Sequence, residues 1–118
     1  MAAVSRNAAR ERRKHERVET VMAVHIRVDG QTHRHPAQIV NIGAGGVLMK
    51  TSLKMEANES LAIDLDLEGE REPICVYGTV VRADPRGYGV SFVRITPITA
   101  DLIAYLIRKS QREGVPQS

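Results

Sequence analysis

Leu61-Ala62-Ile63-Asp64-Leu65-Asp66-Leu67-Glu68 is the segment from which the fold is read. Leu61, Ile63, Leu65 and Leu67 alternate with Ala62, Asp64, Asp66 and Glu68. A period of two suits a half-buried β-strand and does not suit a helix. It sends the larger apolar side chains to a core and predicts that Asp64 and Asp66 face water. That placement gives no ground for reading them as a general acid–base pair.

The same period recurs on both sides. Upstream, Met22, Val24, Ile26 and Val28 alternate with Val21, Ala23, His25 and Arg27, and Asp29-Gly30 signals a turn. Ala37, Ile39 and Asn41 are expected on one side of the next strand. Val47-Leu48-Met49 follows a glycine turn as a short, largely buried strand. Downstream, Glu68 to Pro73 is a charged turn and Ile74 to Ala83 a long strand rich in β-branched residues. Asp84-Pro85-Arg86-Gly87 fits a type I turn, and Tyr88 to Ile95 closes the sheet. At Thr96 the period becomes helical. Thr96 is the expected N-cap, Pro97 the first helical residue, and Ile98, Leu102, Ile103, Leu106 and Ile107 one apolar face. Arg108, Lys109 and Arg112 suit the C-terminal end, with Gly114 and Pro116 as terminators. The prediction is a mainly-β protein: a small six-stranded antiparallel barrel plus one C-terminal α-helix over residues 18–113, preceded by a flexible basic arm over residues 1–17.

At 118 residues the chain is read as one domain, with a core of Val, Ile, Leu and Met because only Tyr77, Tyr88, Phe92 and Tyr105 are aromatic. No stretch approaches the roughly 18 apolar residues of a membrane helix. No apolar block follows the N-terminal charges, so a secretory signal is not expected. The lone Cys75 cannot form an internal disulfide, which points to a reducing cytoplasm. The net charge of +3 is uneven: residues 1–17 hold six Lys/Arg against two Glu, and the rest of the chain is near neutral. The basicity belongs to the arm and implies an anionic partner for it.

Two segments carry the binding chemistry. Arg13-Lys14-His15-Glu16-Arg17 sets guanidinium groups four residues apart, with Arg12 beside the first. Arginine's planar fork pairs with phosphate or with the O6/N7 edge of guanine, and it stacks on bases. Asn41-Ile42-Gly43-Ala44-Gly45-Gly46 offers an amide for a base edge and glycines that let a backbone approach an anion. No Gly-Lys-Ser/Thr follows, so it is not a P-loop. His15, His25, His33 and His35 lack companions at ligand spacing and do not predict a metal site. Cys75 has no partner histidine nearby in sequence and is read as structural.

In this order the two segments resemble the PilZ domain family, bacterial receptors for cyclic di-GMP. That family carries R-x-x-x-R before its first strand and D/N-x-S-x-x-G at the turn between its second and third strands. Gly78-Thr79-Val80-Val81-Arg82 and Gly89-Val90-Ser91-Phe92 look like its later strands, and the likeness spans about residues 10–112. It implies a barrel with no catalytic role and a site built from Arg12, Arg13, Arg17, Asn41, Gly43, Gly45 and Gly46, with Arg82 bordering the ligand. It implies cyclic di-GMP as ligand, with room for a stacked pair as in some members, and a downstream protein partner. One departure stands out: Gly43 occupies the serine position of the second motif. The missing hydroxyl is expected to cost on the order of tenfold in affinity.

Two other readings follow from the same residues. Family members without binding motifs act as protein adaptors in motility or pilus assembly, a reading kept open by Gly43 and opposed by the intact arginine pair. Non-specific nucleic-acid binding by a basic arm is opposed by the near-neutral body and the lack of a strand-borne aromatic platform.

Overall fold

In the computed structural model, which describes residues 17–66 and 73–114, the alternating runs become six antiparallel strands and one helix. The strands are β1 (Val18–Val28), β2 (His35–Gly43), β3 (Gly46–Lys50), β4 (Ser60–Leu65), β5 (Ile74–Asp84) and β6 (Gly87–Val93). The helix, α1, is Pro97–Gly114. The sheet closes on itself in the order β1-β2-β3-β6-β5-β4, with β4 returning to pair with β1. Closure leaves no open edge strand. Basic arm residues 1–16, Arg12 and Arg13 among them, lie outside the described residues.

The interior is aliphatic, as the scarcity of aromatics requires. Ile26, Ile39, Ile42, Val47, Met49, Ile63, Val80 and Val90 are the largest fully buried side chains. Thr96 caps α1 as expected: its hydroxyl accepts the Thr99 N–H at 3.2 Å. The helix packs on β1 and β2 and contributes Ile103 and Leu106 to the core. Leu102 and Ile107 lie partly buried beside them. Ile98, expected on that face, is 83% exposed, because it belongs to the first turn, before the helix meets the barrel.

Two strands break strict alternation, and both breaks matter. On β2, Ile39 pairs with Met49 but Asn41 with Leu48, so β2 has one residue more than β3 over that step. Ile39 and Ile42 are both buried although three residues apart. The expectation that Asn41 shares a side with Ile39 is therefore overturned: the bulge turns Asn41 to the outer face. On β5, Val80 pairs with Val90 and Arg82 with Gly89. Alternation continued from Val76 and Val80 would aim Arg82 into the core, and the bulge at Val81 aims it outward.

A second expectation fails at Asp64. It does lie on the outer face of β4 but is only 5% exposed. Arg27, on the neighbouring β1, lies across it and donates from Nε at 3.1 Å and Nη2 at 2.9 Å. Arg34 adds an ion pair at 3.4 Å. The Arg27 hydrogen bond, supported by both arginine charges, holds the Asp64 pKa below its ordinary value despite burial, and Arg27 is raised in turn. Asp66 remains exposed, 4.0 Å from His25 Nδ1.

Because the folded-state pKa of Asp64 is depressed, this pair stabilises the fold fully above about pH 4 and less as the pH falls through the folded value. Asp64→Ala is expected to cost about 1–3 kcal/mol at neutral pH. Urea unfolding of both proteins from about pH 7 down to pH 2 should show that difference shrinking toward the acid end. A difference that does not change with pH would rule out the ion pair as its source.

Candidate ligand-binding site

The site is built on the outer face of the barrel from cross-strand neighbours. Glu19 on β1 pairs with Asn41 on β2, Asn41 with Leu48 on β3, Leu48 with Gly89 on β6, and Gly89 with Arg82 on β5. Paired residues of a ladder point to the same face. Asn41 and Arg82 thus share one outward row, and each reaches it through its own bulge. Leu48 is a buried apolar floor between them that does not join the core cluster.

Arg17 enters this row from the end of the arm. It directly precedes β1, and its Nη1 donates to Asn41 Oδ1 at 3.2 Å. Partial burial against the barrel, and secondarily the charge of Arg82, lower the Arg17 pKa. A guanidinium stays protonated regardless, so Arg17 brings a full positive charge to Asn41 on the row that Arg82 shares. Among the described residues Arg17 forms no ion pair with a carboxylate.

Arg82 is held by its neighbour Asp84. Its Nε contacts Asp84 Oδ2 at 3.1 Å. Asp84 is itself fixed by accepting the Arg86 N–H at 2.9 Å. Gly89 leaves open the space over which the Arg82 side chain lies: a Cβ there would stand 3.5 Å from Arg82 Cβ and 3.7 Å from Nη2. With Nε engaged, the outer nitrogens of the fork remain to meet a ligand.

The glycine turn is a tight hairpin. Gly43 pairs with Gly46, and Ala44-Gly45 forms the two-residue loop. Gly46 is dictated by packing, because a Cβ there would run into the Val90 carbonyl of β6. Gly45 has no neighbour within 4 Å of a Cβ and is exposed, and its carbonyl accepts the Phe92 N–H at 2.9 Å. The positive-φ glycines among the described residues are Gly30 and Gly87, so Gly43 has a backbone conformation that serine adopts.

An open groove of about 920 Å³ adjoins the row and takes in Asn41 and Leu48. Glu19, Lys50, Arg86 and Ser110 also line it, and reading the sequence did not single these out as site residues. Lys50 ends β3 and Arg86 lies in the Asp84–Gly87 turn, and neither belongs to a sequence motif. Ser110, on α1, comes to the groove only because the helix packs on β1 and β2. Among the described residues no cluster of three His, Cys, Asp or Glu is placed to hold a metal. Nor is any helix there long and apolar enough to cross a membrane.

A family model described as the PilZ domain matches residues 11–109, which include both motif segments. The chain belongs to the PilZ domain family. The PilZ domain of CeSA from a cellulose-synthesizing bacterium superposes with a TM-score of 0.64 at 12% identity, over 80% of this chain and 96% of that one. The Bacillus subtilis inhibitor of motility MotI/DgrA gives a TM-score of 0.58 at 20% identity, over 85% of this chain and 50% of that one. This PilZ chain thus spans half the length of MotI/DgrA. At these identities the likenesses bear on fold alone. None of the curated proteins matches the chain in sequence.

The two accounts of the glycines separate experimentally. Gly46→Ala is expected to destabilise the barrel by about 1–3 kcal/mol through overlap with β6, whereas Gly45→Ala should stay within about 0.5 kcal/mol of wild type. Denaturant midpoints check both, and equal midpoints for the two variants would refute the packing account of Gly46.

Proposed function

We propose that this PilZ domain is a non-enzymatic receptor for cyclic di-GMP. One observation carries the reading: Arg17, hydrogen-bonded to Asn41, and Arg82 both reach one outward row that two bulges turn away from the core. The ligand presents two phosphates and two guanines, which are the groups guanidinium forks recognise. Arg17 and Arg82 meet its phosphates or base edges, and Asn41 meets a base edge. Arg12 and Arg13 approach from the arm, and Gly43, Gly45 and Gly46 form the turn that the ligand lies against.

The proposed relay is ordering of the arm. A ligand held by both arm and barrel pins residues 1–17 against β2 and β3, and the surface so formed is what a downstream protein reads. Arg12 beside Arg13 gives the arm the extra guanidinium that a stacked ligand pair needs. The adaptor reading rests on Gly43, which lacks the motif hydroxyl. A Gly in that position weakens the site without removing the arginines, so the receptor reading stands first.

Calorimetric titration with cyclic di-GMP, with GMP and single-stranded RNA as controls, tests the proposal directly. Arg13→Ala and Arg17→Ala should each reduce cyclic di-GMP affinity by about tenfold or more, with melting temperatures little changed. Undiminished affinity in both variants eliminates this site. Gly43→Ser should tighten binding about fivefold by restoring one hydrogen bond, since its backbone accepts the change. If neither wild type nor Gly43→Ser binds at millimolar ligand, the adaptor reading replaces the receptor reading.

A further inference from the structure

Glu19 puts a carboxylate where a site for an anion has least use of one. It is exposed on β1, pairs directly with Asn41 on β2, and lines the groove beside it. It is the one carboxylate among the described residues that line this groove. No ion pair among the described residues engages it, although Lys50 and Arg86 line the same groove.

The state of Asn41 sets what its neighbour has to supply. An asparagine side chain has one carbonyl acceptor and one NH2 donor group. Arg17 Nη1 donates to Asn41 Oδ1 at 3.2 Å, and a guanidinium can only donate, so the carbonyl is committed and the NH2 group is what remains for a base. The Watson–Crick edge of guanine presents an acceptor, O6, followed by two donors, N1–H and the N2 amino group. The Asn41 NH2 group matches O6 and nothing else on that edge. The two donors need two acceptors side by side, which is what a carboxylate offers. Directly opposed residues of an antiparallel pair have Cβ atoms about 4.5–5.5 Å apart and point to one face. Glu19 and Asn41 are such a pair, so one donor group and two acceptors stand in the order in which a guanine needs them. Adenine would set donor against donor and acceptor against acceptor.

Resting on the reading of this row as a cyclic di-GMP site, we propose that Glu19 is its specificity-determining residue. The Glu19 carboxylate accepts N1–H and N2–H of one guanine while the Asn41 NH2 group donates to O6. Leu48, paired with Asn41 on its other side, is the apolar floor beside that base. A Glu19 that read no base would only repel the phosphates of the ligand, and the two roles predict opposite effects of removing it.

Calorimetric titration of the full chain and of Glu19→Ala separates them, with cyclic di-GMP and cyclic di-IMP as ligands, the second lacking the N2 amino groups. Wild type should bind cyclic di-GMP about tenfold or more tighter than cyclic di-IMP. Glu19→Ala should weaken cyclic di-GMP about tenfold or more and bring the two ligands within about twofold of each other. Glu19→Gln, which keeps one acceptor, should fall between. Glu19 is exposed, so melting curves of both variants should match wild type. Tighter binding of both ligands by Glu19→Ala, with their ratio unchanged, is the result of repulsion alone and overturns the assignment. If wild type binds cyclic di-GMP but is indifferent to the loss of N2 or of Glu19, the receptor reading stands and the role of Glu19 falls. If wild type binds neither ligand, the receptor reading fails and takes this assignment with it.

Discussion

Keeping polar side chains out of an aliphatic interior is the constraint on which this molecule depends. The barrel is small and its core nearly free of aromatics, so an unpaired amide or guanidinium inside it would cost several kcal/mol. The sequence nevertheless carries Asn41 and Arg82 at positions that alternation assigns to the inside. One extra residue in β2 and one in β5 resolve the conflict locally. The core keeps Ile39, Ile42, Val80 and Val90, and the displaced polar groups come to the same outward row. The bulges that protect the core are therefore the features that bring Asn41 and Arg82 to one outward row.

Packing and recognition share the glycines unequally. Gly46 and Gly87 are needed where β6 and β3 approach each other: a side chain at the first would strike the Val90 carbonyl, and at the second the Met49 carbonyl. Gly89 has a different role, leaving the space over which Arg82 lies. A run of glycines near a binding motif thus reads as one signal in sequence but divides into several in space. The exposed part is the loop at Gly45, while Gly89 is buried beneath the Arg82 side chain and Gly46 holds the strands together.

The outer surface is also more structured than a solvated shell. Asp64 is buried on the outside of the barrel because Arg27 and Arg34 cover it. This charged layer covers the outer face of β1 and β4. The motif row gathers Arg17 and Arg82, with Asp84 on Arg82 and Glu19 paired with Asn41 as the carboxylates there.

Sequence alone determined the strand and helix order, the N-cap at Thr96, the turn at Asp84–Gly87 and the aliphatic core, because these depend on local periodicity and turn chemistry. The motif residues were also legible through their resemblance to the PilZ family. Tertiary structure decided which way Asn41 and Arg82 point, since a bulge is a mismatch between two strands and neither strand records it alone. It likewise decided that Asp64 is covered, because its arginine partners lie 37 and 30 residues away in sequence. It brought Ser110 of α1 to the groove beside Asn41 as well. Periodicity reports which residues tend inward, and only the pairing of distant strands fixes what stands next to what.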